Sequence, residues 1–533
     1  MKRIILYGLS LMIGINAFAQ QPEKYAATIT REDLKKQLNI VAGAEMEGRE
    51  TATDGQRKAA SYIADQFKQL GLREAKGTKN YQQEYPLFYD SLIKSELTIN
   101  NKPLVYGKDF IVAIPTRGPI ENRDDKIKAK DIVFVGYGIS DSAYDDYKGK
   151  KVRGKVVMMF AGEPKNDTIS IISGTTRPSQ WSLPGPGLTR KAALAKDKGA
   201  KAVLFISPLQ VAIRPEASAN RKTNIYYPRP RNKKTEGANV ATLSHEAAAN
   251  ILGKERFDLL LSQVKAGRIL SDQGVTIRQR TTFNSDKISY KKPSTNVVGY
   301  IEGTDKKDEY VVLTAHYDHL GKQGDRIFYG ADDDGSGTVA VIEMAEAFAK
   351  AKAEGNGPRR SIVFMAVSGE EKGLLGSQYY SEHPLFPLNK TTVNLNTDMI
   401  GRIDPSRKIG DSNNYVYVIG DDKLSSDLAP ITNQINSKYL KLELDRKYND
   451  LKDQNRFYFR SDHYNFARKG VPIIFYFNGV HADYHRATDT VDKINFGVME
   501  KRARLVFHTA WEMANRNEML KRDIPLSSDM TSR

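Results

Sequence analysis

Apolar and polar positions alternate in several regimes along this chain. Between residues 31 and 72 the period is helical: Ala59, Ile63, Phe67 and Leu70 share one face and Gly71 offers a stop. Two helices are predicted there, joined by a polar turn from Gly48 to Gly55. Residues 90–125 are mixed, with short strands expected near Leu97–Ile99 and Asp109–Ala113. From about 130 short apolar runs dominate. Strands are expected at Asp131–Gly136, Lys155–Phe160, Ala202–Ile206 and Asn239–Leu243, an edge strand at Gly274–Thr282, and helices at Lys191–Lys198 and His245–Leu252. Residues 214–237 are basic, carry prolines and lack periodicity, which predicts a loop.

After residue 290 strand and helix patterns alternate regularly. Strands are predicted at Thr295–Ile301, Tyr310–Ala315, Ser361–Val367, Thr391–Thr397 and Val471–Phe477, and helices at Thr338–Lys352, Gly373–Ser381, Lys423–Ser437 and Val498–Asn515. That alternation predicts an α/β fold, a mostly parallel sheet sandwiched by helices. The helices before residue 93 and the motifs after 280 lack complete domains of their own. We therefore expect one main domain made of 20–92 and 281–520, a small β-rich module inserted at 93–280, and a C-terminal tail at 521–533.

Composition narrows the function. At 533 residues, length suggests two or three domains. The net charge is +17, but Lys and Arg are scattered among acids with no basic block, so a solvated basic surface is expected rather than a nucleic-acid partner. The N-terminus carries Lys2 and Arg3, an apolar core from Ile4 to Ile15, and small residues at Ala17 and Ala19. That is the layout of a cleavable secretory signal over 1–19. Export to the periplasm or the exterior is expected. The apolar core is too short for a permanent span and no later segment looks transmembrane, so no stable membrane insertion is expected. The chain has no cysteine, which excludes thiol catalysis and disulfides.

The chemistry-bearing residues recur where apolar runs end. Tyr310–Ala315 leads into His316 and Asp318, followed by three aspartates flanked by glycine, Asp332, Asp333 and Asp334. Ser361–Val367 leads into Ser368-Gly369-Glu370-Glu371. Thr391–Thr397 leads into Asp398. Val471–Phe477 leads through Gly479 to His481, His485 and Asp489. In open α/β sheets the functional crevice lies outside the carboxyl ends of the strands. Imidazoles and carboxylates gathered at one edge suit a metal such as zinc.

In their order, the segments HYD, GADDDGSG, GEEKGLLGS, NTDMIG and YHRATDT resemble the co-catalytic di-zinc peptidases that include bacterial leucyl-type aminopeptidases and glutamate carboxypeptidase. MEGRETATDGQ resembles that family's N-terminal part, and the inserted module resembles a protease-associated domain. The resemblance implies two Zn2+ per chain. His316 and Asp398 would hold one, Glu371 and His485 the other, and Asp333, the Asp of D-x-x-S-G, would bridge them; Asp332 and Asp334 would not be ligands. Glu370 resembles the general base, and Asp318 would orient the His316 ring. Tyr484 resembles a tyrosine that hydrogen-bonds the tetrahedral intermediate, and Arg460 an arginine held near substrate. Asp489 would orient His485 or cap a helix, His463 and His481 would be structural, and His319 has no assigned role. The expected activity is removal of N-terminal residues from peptides by a hydroxide held between the metals. A glutamate-type carboxypeptidase, a glutaminyl cyclase and a receptor-like binding protein are the alternatives.

Overall fold

The computed structural model describes residues 22–112, 126–209, 222–228, 239–271 and 274–531. The expected signal segment 1–19, Ala113 and most of 214–237 lie outside these residues. The chain forms two compact units, one running to Tyr85 and again from Ser294, the other from Pro86 to Pro293. These boundaries lie outside the expected 93–280 on both sides. The reason is that two long strands, Phe88–Ile99 and Thr281–Lys291, pair with each other from Phe88 opposite Lys291 to Ile99 opposite Thr281, which takes both into the second unit.

In the first unit the strands of the main sheet are β1 (Arg73–Glu74), β2 (Gln82–Tyr85), β3 (Ser294–Ile301), β4 (Lys306–His316), β5 (Arg360–Val367), β6 (Thr391–Thr397), β7 (Tyr415–Ile419), β8 (Glu443–Asp445) and β9 (Ile473–Phe477). They make one sheet in the order β1–β3–β5–β4–β6–β9–β7–β8, with β2 also on β3. β5, β4, β6 and β9 are parallel neighbours. β3 runs antiparallel to β5, and β7 antiparallel to β9. The sheet is therefore mixed, with a parallel centre and antiparallel flanks. The expectation missed β1, β2, β7 and β8. The first two are short and rich in Gln and Glu, so they carry little apolar signal, and β7 follows a loop rather than the helix that strand–helix alternation demands.

Helices α1 (Pro22–Ala26), α2 (Arg31–Val41), α3 (Asp54–Gln69), α4 (Gly337–Ala353), α5 (Leu375–Glu382), α6 (Leu428–Tyr439), α7 (His463–Ala467) and α8 (Phe496–Asn515) complete this unit. Alternate side chains of the central strands feed two cores, as the period of two requires. Val311, Leu313 and Ala315 of β4, with Ile362, Phe364 and Ala366 of β5, join α2, α3, α4 and α8 in one core. Val312, Val363, Met365 and Val367 join Tyr380, Phe466 and Tyr415 in the other. Met530 is buried in that second core and the Tyr464 hydroxyl donates to the Thr531 carbonyl at 2.9 Å, so residues expected as a tail are packed down. Among the described residues no helix is long and apolar enough to cross a membrane.

The inner face of α4 carries a buried carboxyl, Glu343, 2% exposed. It lies near a polar cluster in which the Tyr62 hydroxyl donates to Gln37, and Gln37 Nε2 to Gln66 at 3.2 Å. Burial, with Glu346 and Asp33 adding to it, pushes the Glu343 pKa up to about 8. A carboxyl raised in this way favours the fold at acid pH, and that contribution is lost as pH climbs from about 4.5 through about 8. Glu343→Gln is expected to raise the Tm more at pH 8 than at pH 5 in calorimetry. An equal gain at both values would contradict this.

The second unit holds a six-stranded sheet in the order Thr276–Ile277, Ile132–Phe134, Val156–Phe160, Ala202–Ile206, Asn239–Leu243 and Phe110–Val112. It also holds a four-stranded antiparallel ribbon of Lys102–Leu104, Phe88–Ile99, Thr281–Lys291 and Ile127–Ala129. Helices Pro186–Asp197, His245–Leu252 and Lys254–Lys265 accompany them. The single edge strand expected at Gly274–Thr282 divides: Thr276–Ile277 borders the sheet and Thr281 starts a strand of the ribbon.

Candidate metal centre

β5, β4, β6 and β9 are adjacent and parallel, so their carboxyl ends open on one edge of the sheet. His316 closes β4. Ser368 to Glu371 follow β5, Asp398 follows β6, and the turn carrying His485 follows β9. The loop between β4 and α4 contributes Asp333. Its shape depends on two glycines. Gly330 has φ +57°, and a Cβ there would lie 2.3 Å from the Asp333 carbonyl and 2.5 Å from the His319 ring. At Gly337 a Cβ would lie 2.4 Å from the Asp334 carboxylate.

Asp333 stands in the middle of the cluster. Its Oδ1 is 3.2 Å from His316 Nε2, and its Oδ2 is 3.2 Å from His485 Nε2. His316 Nε2 is also 3.6 Å from Asp398 Oδ1, and His485 Nε2 is 3.2 Å from Glu371 Oε2. The carboxylate thus turns one oxygen to each of two histidine–carboxylate pairs. Asp333 Oδ2 and Glu371 Oε1 are buried with no hydrogen bond of good geometry, the nitrogens beside them being those of the His485 and His319 rings, and such a set is costly to leave without a cation. Burial pushes the His316 imidazole pKa down, yet Asp398, Glu370 and Asp333 outweigh it and hold it well above the ordinary value. At His485 burial is likewise outweighed by Asp333 and Glu371, which push it up to about 10. The field of this cluster draws positive charge, and an all-nitrogen-and-oxygen donor set of this kind suits zinc.

Two groups offer ligand atoms within 4.8 Å of one another: His316, Asp334 and Asp398, and His319, Asp333 and Glu371. Hydrogen bonds separate Asp334 from Asp333. Asp334 Oδ1 accepts from the Gly337 and Met399 amides at 2.9 and 3.0 Å, and Oδ2 from the His316 amide at 3.2 Å. Its oxygens are engaged in fastening three motifs together. Asp332 is engaged as well: Oδ1 accepts from the Gly401 amide at 2.7 Å and Ser336 Oγ at 3.0 Å, and Oδ2 lies 3.1 Å from His481 Nε2. His481 therefore has a structural partner, and so does His463, 2.9 Å from the Tyr458 carbonyl and stacked on Phe475.

The contacts of Asp318 and Asp489 differ from the expected ones, and His319 gains partners. Asp318 does not hold the His316 ring through its carboxylate, which stands 3.8 Å from Nδ1; its backbone carbonyl is the closer partner, at 3.0 Å. The Asp318 carboxylate accepts instead from Thr51 Oγ1 at 2.6 Å and from the Glu370 amide at 3.2 Å. The Asp489 carboxylate meets the first-turn amides of the short helical segment Ala331–Ser336, as an N-terminal cap would. It accepts from the Asp332 amide at 3.0 Å and the Asp333 amide at 3.2 Å, bracing the central loop. His319 is fully buried, with Nδ1 2.8 Å from Glu371 Oε1 and 3.8 Å from Asp333 Oδ2. Glu370 lies 3.9 Å from His316 Nε2, and burial, joined by Glu371, Asp398 and Asp462, holds its pKa well above the usual carboxylate range. Tyr484 stacks on the His485 ring at 3.8 Å, and its hydroxyl accepts from the exposed Arg460 guanidinium at 3.1 Å.

Arg49, Thr51 and Asp462 are the site residues that sequence reasoning missed. Asp462 stands two residues after Arg460, and its full burial with a pKa pushed up by that burial to about 7 distinguishes it. Arg49 and Thr51 sit in the stretch MEGRETATDGQ, read as a polar turn that resembles the family's N-terminal part, and that reading gave neither residue a role.

Residues 296–510 match peptidase family M28. A probable leucine aminopeptidase of Arthroderma otae is 30% identical over 273 residues, which cover 50% of this chain and 68% of that protein. A vacuolar membrane protease of Emericella nidulans is 33% identical over 132 residues, 22% of this chain, and the match spans 13% of that protein's length. Among solved structures, an aminopeptidase from Aneurinibacillus sp. strain AM-1 superposes with a TM-score of 0.53 at 18% identity, covering 95% of this chain and 99% of that one, which establishes a shared fold. His316, Asp333, Glu371, Asp398 and His485 all fall inside the matched stretch, and with two thirds of a leucine aminopeptidase's length aligned to it, the chain belongs to peptidase family M28.

Proposed function

We propose that this protein is an exported aminopeptidase that holds two Zn2+ and removes N-terminal residues from peptides. Metallo-aminopeptidase activity follows from the family and from its leucine aminopeptidase relative. The observation that carries the two-metal reading is the Asp333 carboxylate, with one oxygen toward His316 and Asp398 and the other toward His485 and Glu371. His316 and Asp398 would hold one ion, Glu371 and His485 the other, and Asp333 both. Three carboxylates then face four positive charges, a balance that can be buried. Bound zinc supplies Lewis acidity to a water and to the scissile carbonyl.

The chain's own residues do the rest. Glu370 accepts the proton of the attacking water and delivers it to the departing amine. Asp318 fixes the Glu370 backbone through its amide. The Tyr484 hydroxyl, held by Arg460, is offered to the oxygen that becomes negative as the carbonyl is attacked. The free amine of the substrate lies against the acidic end of the site. The second unit is read as a protease-associated module, and residues 1–19 as the signal that takes the protein to the periplasm or exterior.

One observation favours a second reading. The exposed guanidinium of Arg460 beside the site suits a C-terminal carboxylate, as in a glutamate-type carboxypeptidase. Purified protein assayed on aminoacyl-nitroanilides and on N-blocked peptides, with and without chelator, separates the readings. Release of nitroaniline that chelator abolishes and added zinc restores is the expected result. Cleavage of blocked peptides from the C-terminus would overturn the aminopeptidase assignment. Cyclisation of N-terminal glutamine, or zinc binding without turnover of any substrate, would select the cyclase or receptor alternatives.

A further inference from the structure

We propose that Arg49, Glu50 and Thr51 form a positioning clamp that sets the placement of Glu370 and His316 by way of Asp318. The inference rests on the zinc-peptidase reading but concerns residues outside the stretch 296–510 that matches the family. Arg49 is fully buried. Its Nε donates to the Tyr317 carbonyl at 2.7 Å, Nη1 to Val41 at 3.0 Å and Tyr329 at 2.7 Å, and Nη2 to Gly330 at 2.9 Å. One guanidinium thus ties the end of β4 to the start of the loop that carries Asp333. The Arg49 carbonyl accepts from the His319 amide at 3.2 Å, and Glu50 Oε1 from Lys372 Nζ, the residue after Glu371, at 2.8 Å. Thr51, also fully buried, donates to Asp318 Oδ2 at 2.6 Å. Three consecutive residues therefore reach the segments carrying His316, Asp333 and Glu371.

The backbone here is costly to hold. Glu47, Arg49 and Ala52 adopt left-handed φ of 52°, 52° and 62°, which side chains other than glycine avoid. Such conformations persist where the surroundings over-determine them, commonly at functional sites. The chemical path is short. The Thr51 hydroxyl fixes Asp318 Oδ2, leaving Oδ1 for the Glu370 amide at 3.2 Å, while the Asp318 carbonyl lies 3.0 Å from His316 Nδ1. A carboxylate free to turn about its bond would release the Glu370 backbone and leave the Asp318 segment, whose carbonyl meets the His316 ring, without its Thr51 anchor. Thr51 is thus a positioning residue acting through Asp318.

The test compares Thr51→Val, which keeps shape without the hydroxyl, with Thr51→Ser, which keeps the hydroxyl, in the full chain. Thr51→Val is expected to lower kcat about 10–100-fold with KM unchanged, and to weaken one of the two zinc affinities by a similar factor in calorimetric titration. Thr51→Ser should restore both. In an Asp318→Asn background Thr51→Val should cost little more, since both act on one path. Should Thr51→Val not fold, Thr51→Ala carries the same comparison. Wild-type kcat and zinc affinity in the hydroxyl-free variant would overturn the clamp, as would a Thr51→Ser variant impaired to the same degree. If the wild-type protein binds zinc but hydrolyses no peptide, the aminopeptidase reading fails, while the zinc titration still decides the clamp.

Discussion

Glu370→Gln is expected to lower kcat by about 10²–10⁴-fold, the contribution of a well-placed general base, while leaving fold and zinc content intact. The variant is close to isosteric, and the backbone amide that Asp318 accepts is untouched. The Glu370 carboxylate approaches His316 at 3.9 Å, farther than Asp333 at 3.2 Å or Asp398 at 3.6 Å. The neighbouring residue provides the control. Glu371 faces His485 at 3.2 Å, so Glu371→Gln should lose metal as well as rate. The pair is read by steady-state kinetics on an aminoacyl-nitroanilide beside metal analysis after dialysis. Near-normal turnover in Glu370→Gln would place the base elsewhere. Lost zinc in that variant would move Glu370 into the ligand set.

Asp333→Asn should have the second large effect, and on both metal positions together. The carboxylate turns an oxygen toward each histidine, and Oδ2 makes no hydrogen bond of good geometry. An amide has one acceptor oxygen and presents N–H groups where the second oxygen stood. It also removes one of only three negative charges opposing the ions. Stripping one partner from a buried charged set costs about 3–5 kcal/mol, roughly two to four orders of magnitude in affinity. Zinc should then no longer raise the Tm, since an ion that does not bind the native state cannot stabilise it. The measurements are metal content after dialysis and thermal unfolding with and without zinc. Asp334→Asn makes the contrast, because its oxygens already serve three backbone amides; there a loss of stability is expected first. Retention of both ions by Asp333→Asn, with loss of both by Asp334→Asn, would exchange the two assignments.

The parallel centre of the sheet and the residues at its open edge were legible because each apolar run leads within a few positions into His316, Glu370, Asp398 or His485. Period-two burial is a local signal, and the sheet-edge rule converts it into proximity. What lay beyond local signal was the orientation of individual side chains. Nothing in GADDDG says that Asp334 takes backbone amides while Asp333 is left free, since that depends on where the Met399 and His316 amides arrive. Asp318 illustrates the limit: two residues from His316 it invites a carboxylate–imidazole contact, but Thr51, 267 positions away in sequence, draws the carboxylate aside. The antiparallel flank β7 was missed for a related reason, as alternation describes crossovers well and says little of strands that return by loops.

Each unit keeps its own two ends side by side. In the first, Tyr85 is paired with Ser294; in the second, the Lys292 amide bonds the Leu87 carbonyl and Phe88 faces Lys291. To the chain entropy of the first unit the excursion therefore counts as a tight turn, whatever its length, because a folded segment that returns to its origin is not a random coil whose closure must be charged by residue number.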